Sequence, residues 1–251
     1  MSLNQVKLAE NVYADGHIVV AGERHSGKTT LIRKLAKQLV DNGVYVEAYY
    51  DKPISDKLND YEVYVDLIEI NNALNNYKKE VEEKLKLLQD GYSKNDLTKF
   101  PYKTIIIDDT NNFTRSEDYK FQDSYISKIN YLIYYASEVN INLILVYDNS
   151  YVDCANIFNP DLMSNINSFI VLGGSLFDSY FYKFNADIMS LTKLYRQFNT
   201  NGSSNSILID KAIIESETYK TINHTTITNG LAVYHNRNDK VNHIFKLDSV
   251  C

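Results

Sequence analysis

Residues 22–29 read G-E-R-H-S-G-K-T and fit the pattern G-x-x-x-x-G-K-[ST] at every position. That spacing suits one task, the binding of a nucleoside triphosphate. Glycines let the backbone of Gly22, Glu23, Arg24, His25, Ser26 and Gly27 curl so that successive N–H groups face phosphate oxygens. Lys28 follows as a mobile point charge for the same oxygens, and the Thr29 hydroxyl is a hard ligand for Mg²⁺. Thr30 continues the first turn and is counted with the loop. A second constellation stands eighty residues on, where residues 104–109 read T-I-I-I-D-D. Four residues of apolar strand there deliver Asp108 and Asp109 to the edge of a sheet, the edge at which ligands bind in open α/β folds. Asp108 is expected to hold Mg²⁺ and Asp109 to activate the attacking water as a general base. Catalysis is therefore assigned to Lys28 and Asp109, metal binding to Thr29 and Asp108, and the cofactors are ATP and Mg²⁺.

Other features carry less chemistry. Asp148 and Asn149 close a further apolar run, where a polar sensor of the terminal phosphate would sit. The five histidines show no metal-ligand spacing, so zinc is not expected. No G-x-S-x-G motif occurs. Tyr131, Tyr134 and Tyr135 are expected on the core face of a helix, and the aromatic stretch 175–184 (SLFDSYFYKF) in the core.

Positioning the two motifs requires strands that end where they begin. Residues 17–21 (HIVVA) form an apolar run leading into the loop, and a helix is expected from the loop to about residue 39. Strands are expected at 44–50, 61–70, 103–107, 142–147, 168–172 and 206–209. Leu74, Tyr77, Val81, Leu85 and Leu88 recur at spacings of three or four, which predicts an amphipathic helix over 73–89 that stops near Gly91. Another helix is expected over 119–139, and a hairpin from 232–235 and 242–247. Continuous apolar strands alternating with helices predict a parallel sheet covered on both faces. The fold class is α/β: a three-layer P-loop NTPase with a mostly parallel central sheet, as one domain over 1–251 with its core at about 16–211 and a C-terminal extension at 212–251.

Composition agrees with this class. The 251 residues are 44% hydrophobic and 23% charged, with three Pro and nine Gly, as in an ordinary globular chain. No apolar run approaches the length of a membrane span, and the first ten residues lack an apolar signal core. Two cysteines in a chain this long argue against a disulfide framework. A formal charge of −6 opposes bulk electrostatic coating of nucleic acid, so any DNA contact needs a local basic surface. Candidates are Lys183, Lys193 and Arg196, or Lys78, Lys79, Lys84 and Lys86 on the amphipathic helix.

With the phosphate loop, the Asp108–Asp109 strand and a polar strand end in this order, the chain resembles the FtsK/HerA-type ATPases. It is most similar to the viral genome-packaging branch, including the poxvirus packaging ATPase. The resemblance spans about 16–211 and rests on the two motifs. It implies the RecA-like strand order of that class and a homo-oligomeric ring, pentameric or hexameric, that threads double-stranded DNA into a capsid or virion. It also implies capsid or virion proteins as partners and the cytoplasm of an infected host cell as the site of work. Lys28 and Thr29 match the family's phosphate-loop positions, and Asp108 and Asp109 its acidic pair. Two departures stand out. The family usually has Gln where this chain has Asp148, and relatives often carry Arg near the positions of Ser137 and Glu138. The arginine that a neighbouring subunit would supply is then sought at Arg115, Arg196 or Arg24.

Two other readings share the loop. A nucleotide or nucleoside kinase needs an Arg-rich lid, which five scattered arginines do not form. A nucleotide-gated assembly subunit would bind ATP with little turnover, and the missing family Arg favours it. Guanine-specific motifs are absent, which argues against a GTPase.

Overall fold

The computed structural model describes residues 16–22, 27–50, 61–108, 119–148, 165–172, 219–222, 225–228, 231–236 and 241–246. Strands β1 (His17–Gly22), β2 (Tyr45–Tyr50), β3 (Glu62–Tyr64), β4 (Lys103–Ile107), β5 (Ile141–Asp148) and β6 (Ile166–Leu172) are mutually parallel. Helices α1 (Lys28–Asp41), α2 (Leu67–Gln89) and α3 (Tyr119–Tyr135) lie between them in sequence. Strands β9 (Leu231–Asn236) and β10 (Val241–Lys246) form the expected hairpin. It extends the sheet because β9 pairs antiparallel with β6. The order across the sheet is β10-β9-β6-β1-β5-β4-β2-β3. A separate antiparallel pair joins β7 (Tyr219–Ile222) and β8 (Thr225–Thr228).

The strands are apolar on both faces because each face carries helices. Ile18, Val20, Ile106, Ile144 and Val146 pack with Leu31, Ile32, Leu35 and Leu39 of α1. The alternate residues Val19, Ile105, Ile107, Leu143 and Leu145 pack with Leu74 and Val81 of α2 and with Tyr125, Ile129 and Leu132 of α3. Burial of each such aliphatic side chain contributes about 1.5–3 kcal/mol. The three-layer α/β class expected from the sequence is the one observed.

Three expectations need correction. The alternation over 61–70 yields only the short β3, because α2 starts at Leu67 rather than residue 73. The Asp66 carboxylate accepts from the Ile68 and Glu69 N–H groups, and the Glu69 carboxylate accepts from the Asp66 N–H, which is a full capping box. An N-cap of this kind contributes about 1 kcal/mol and outweighs a two-residue polar alternation. The helix predicted to residue 139 ends at Tyr135 and tightens into a 3₁₀ turn at Ala136–Val139. Asn140, at φ 62°, then turns the chain into β5, and its amide donates to the carbonyls of Lys94 and Phe100. Finally, Tyr134 and Tyr135 are 42% and 46% exposed rather than core, and only Tyr131 packs partly against the core. The expected strand at 206–209 and the segment 175–184 lie outside the described residues.

His17 opens β1 and is fully buried. Its Nδ1 accepts from the Leu143 N–H at 3.0 Å, which fixes the proton on Nε2. Burial pushes its pKa down to about 4, only partly offset by the nearby Ile133 backbone. Below the ordinary value of 6.5 the unfolded chain binds a proton that the fold refuses. Stability should then fall by about 1.4 kcal/mol per pH unit between pH 6.5 and 4, or about 2 kcal/mol by pH 5. His17→Asn keeps an acceptor near the Nδ1 position and does not titrate. Urea unfolding at pH 7 and pH 5 should therefore show a shallower acid loss in the variant, and an equal loss in both proteins would remove His17 as its source.

Candidate functional site

β1 carries the chain to Gly22 at the C-terminal edge of the sheet, and α1 resumes it at Gly27. Gly27 is the N-cap at φ 95° and ψ 14°, a left-handed conformation that an L side chain resists. The first helical bond runs from the Leu31 N–H to the Gly27 carbonyl at 2.9 Å. Gly27 has no side chain to cap the helix, and the first turn of α1 contains no acidic residue. α2, by contrast, is closed by its own Asp66 and Glu69. The positive end of α1 is thus left facing the loop, as an anion-binding helix end requires.

Lys28 and Thr29 reach in different directions from that end. The Lys28 ammonium donates to the Gly22 carbonyl at 2.7 Å and so spans the two ends of the loop. The Thr29 hydroxyl donates to the Asp108 carboxylate at 3.0 Å, across 79 residues of sequence. Thr30, one residue on, is exposed. Asp108 is buried, and its N–H donates to the Tyr49 carbonyl at 2.9 Å. This bond continues the β2–β4 ladder one residue past Ile107, so the strand pairing itself aims the carboxylate. β5 lies between β1 and β4 and aligns Asp148 with Gly22. The backbone of the expected sensor position therefore stands at the same edge.

Glu23, Arg24, His25, Ser26, Asp109, Asn149, Arg115 and Arg196 lie outside the described residues. Among the described residues no three His, Cys, Asp or Glu side chains cluster as a metal site. For Mg²⁺ the donor set fits on chemistry: a hydroxyl and a buried carboxylate, both hard oxygens, already meet beside a helix N-terminus.

Tyr49 was not legible as a site residue. Its side chain belongs to a cluster in which the hydroxyls of Tyr45, Tyr49 and Tyr77 all donate to the Glu47 carboxylate. Burial raises the Glu47 pKa, but these three bonds and the nearby Lys103 hold it below the usual carboxylate value. Tyr45 is pushed up to about 12, chiefly by its bond to Glu47. The cluster ties β2 to α2 and includes Tyr49, the residue whose carbonyl holds Asp108. Of the basic patch expected on α2, Lys79 and Lys86 are exposed while Lys78 and Lys84 have carboxylate partners. Lys84 is buried against Glu80 at 2.9 Å, and Lys78 faces Glu82 at 3.8 Å.

No described helix is long and apolar enough to cross a membrane. No curated protein sequence matches the chain. Among solved structures it is similar to the pCW3 conjugation coupling protein TcpA bound to ATPγS, with 14% identity over 94% of this chain and a TM-score of 0.62. It is also similar to the cytoplasmic domain of the Thermomonospora curvata type VII secretion ATPase EccC, with 12% identity over 94% of this chain and a TM-score of 0.57. A third likeness is to the genome-packaging NTPase B204 of Sulfolobus turreted icosahedral virus 2 with ATPγS, at 14% identity, 92% coverage and a TM-score of 0.50. The chain spans 60% of the TcpA chain, 24% of the EccC chain and 97% of the B204 chain. At these identities the likeness is one of fold. Residues 11–153 match the family described as AAA domain, a stretch that holds the loop, α1, β4 and β5 and covers more than half of the sequence. The chain belongs to the AAA domain family.

Proposed function

We propose that this protein is a ring-forming motor that spends ATP to translocate double-stranded DNA, and that its task is packaging viral DNA into capsids or virions. The observation that carries the reading is the Thr29–Asp108 hydrogen bond, which joins the phosphate loop to the acidic strand end. In this reading residues 22–30 cradle the triphosphate, Lys28 neutralises its terminal oxygens, and Thr29 and Asp108 hold Mg²⁺. The metal supplies charge neutralisation on the phosphates. Asp109 accepts a proton from the attacking water. An arginine from a neighbouring subunit, Arg115 first, stabilises the charge that develops. The fold shared with a conjugation coupling protein and a packaging NTPase supports the DNA assignment. Coverage of nearly all of the B204 chain favours the packaging branch.

The test is steady-state ATP hydrolysis against protein concentration, with and without linear duplex DNA. The rate per subunit should climb as subunits assemble and again when DNA is added. A flat rate indifferent to DNA would overturn the ring motor and leave a kinase or a nucleotide-gated subunit.

A further inference from the structure

The contact between α2 and α3 holds a positive charge that no carboxylate among the described residues pairs with. Lys128, on α3, is only 9% exposed. Its ammonium donates to two neutral oxygens, Asn71 Oδ1 on α2 and Ser124 Oγ one turn earlier on α3. Ser124 itself donates to the same Asn71 oxygen at 3.4 Å. The two other strongly buried lysines on this side both have a carboxylate, since Lys84 and Lys103 grip Glu80 at 2.9 and 2.7 Å. Among the described residues Lys128 makes no ion pair, and the charged group acting on it is another cation, Lys78. Burial first, and then Lys78, hold its pKa below the usual lysine value. Lys78 lies over the Tyr131 ring, one turn along α3 from Lys128, 5.0 Å from its centroid, and pairs loosely with Glu82 at 3.8 Å. Its side chain is 42% exposed, so this end of the cluster meets solvent.

An ammonium held by neutral partners with a second cation beside it lacks a counter-charge, and an incoming anion would relieve both the repulsion and the partial desolvation. An ammonium carries three donors, and Lys128 has used two, so one remains for an incoming oxygen. The Asn71 amide accepts through Oδ1, which leaves its N–H₂ as a further donor group at the same place. Two ammonium groups and an amide on neighbouring turns of α2 and α3 match a phosphate oxygen pair better than a single carboxylate.

We propose that Lys128, Lys78 and Asn71 form a site for a backbone phosphate of duplex DNA on the outer face of the α2–α3 layer. The site rests on the DNA reading above and names a contact for it. It reconciles that reading with a net charge of −6, because the contact is local and fixed rather than a diffuse basic surface.

The experiment is fluorescence anisotropy of a labelled linear duplex, titrated with the full chain at several sodium chloride concentrations. Lys128→Met removes the charge while keeping the length of the side chain, and an apolar replacement of an unpaired buried charge should fold at least as well. Its thermal melt is run alongside. Lys78→Met, at the exposed end, is the second variant. Each should weaken binding several-fold and reduce the slope of log affinity against log salt by about 0.9, the loss of one phosphate contact. Wild-type affinity and slope in both variants would overturn the site while leaving the DNA reading intact. Failure of the wild-type chain to bind duplex would overturn both. Displacement of the duplex by inorganic phosphate, but not by chloride at equal ionic strength, would make this a free-ion site and also overturn the assignment.

Discussion

Lys28→Ala is expected to lose ATP binding and ATP turnover together. The ammonium stands at the loop mouth, held 2.7 Å from the Gly22 carbonyl, and α1 opens with its N–H groups directed to the same place. A charge-assisted hydrogen bond contributes about 1.5–3 kcal/mol, which corresponds to roughly a ten- to hundredfold loss of affinity. Stabilisation of developing charge adds to the kinetic effect, because removing one preorganised donor typically costs about 10²–10³ in rate. A fluorescent ATP analogue would measure the first loss and phosphate release the second. The variant should remain folded, since the ammonium's hydrogen bond to Gly22 lies at the rim and α1 is anchored by Leu31, Ile32, Leu35 and Leu39 beneath. Unchanged ATP affinity in a folded Lys28→Ala protein would remove the ammonium from the phosphate site.

Asp109→Asn should separate the two functions. The Asp108 N–H is pinned by the Tyr49 carbonyl and its carboxylate by the Thr29 hydroxyl, and in the proposed reading Asp108 serves the metal side of the site. Asp109 is the next residue in the sequence, and the proposed reading gives it the proton of the attacking water. The amide keeps the size of the side chain and cannot accept a proton. Nucleotide affinity should be nearly unchanged, while turnover falls by about 10²–10⁴, the usual range for a general base. Asp108→Asn is the contrasting variant, in which affinity for ATP should lose its dependence on Mg²⁺. If Asp109→Asn lost binding and turnover in equal measure, the division of labour between the two carboxylates would be wrong.

The strands that carry the site were legible because their patterning is extreme. Residues 103–107 and 142–147 are apolar on both faces, which only a strand covered on both sides can satisfy, and they appear as β4 and β5 within one residue of the expected bounds. The start of α2 was misplaced for a local reason. Polar alternation over 61–70 resembles a strand, but Asp66 and Glu69 supply a reciprocal cap that commits the chain to a helix three residues after β3 ends. Tyr134 and Tyr135 were misread because period alone does not say where a helix stripe leaves the sheet. At the end of α3 the layer runs out, and these rings meet solvent.

Local spacing determined the loop, the acidic strand end and the three-layer class, since G-x-x-x-x-G-K-[ST] and a doubly buried strand are written in neighbouring residues. Tertiary structure decided which oxygens meet. Thr29 and Asp108 are 79 residues apart, and only the placement of β5 between β1 and β4 brings them to 3.0 Å. It also decided which lysines are neutral to their surroundings. Lys84 and Lys128 look alike on amphipathic helices, yet one lies against Glu80 and the other faces Asn71, Ser124 and a second lysine. Charge pairing depends on distances across packed elements, and those are set by how α2 and α3 lie on the sheet rather than by either helix's own residues.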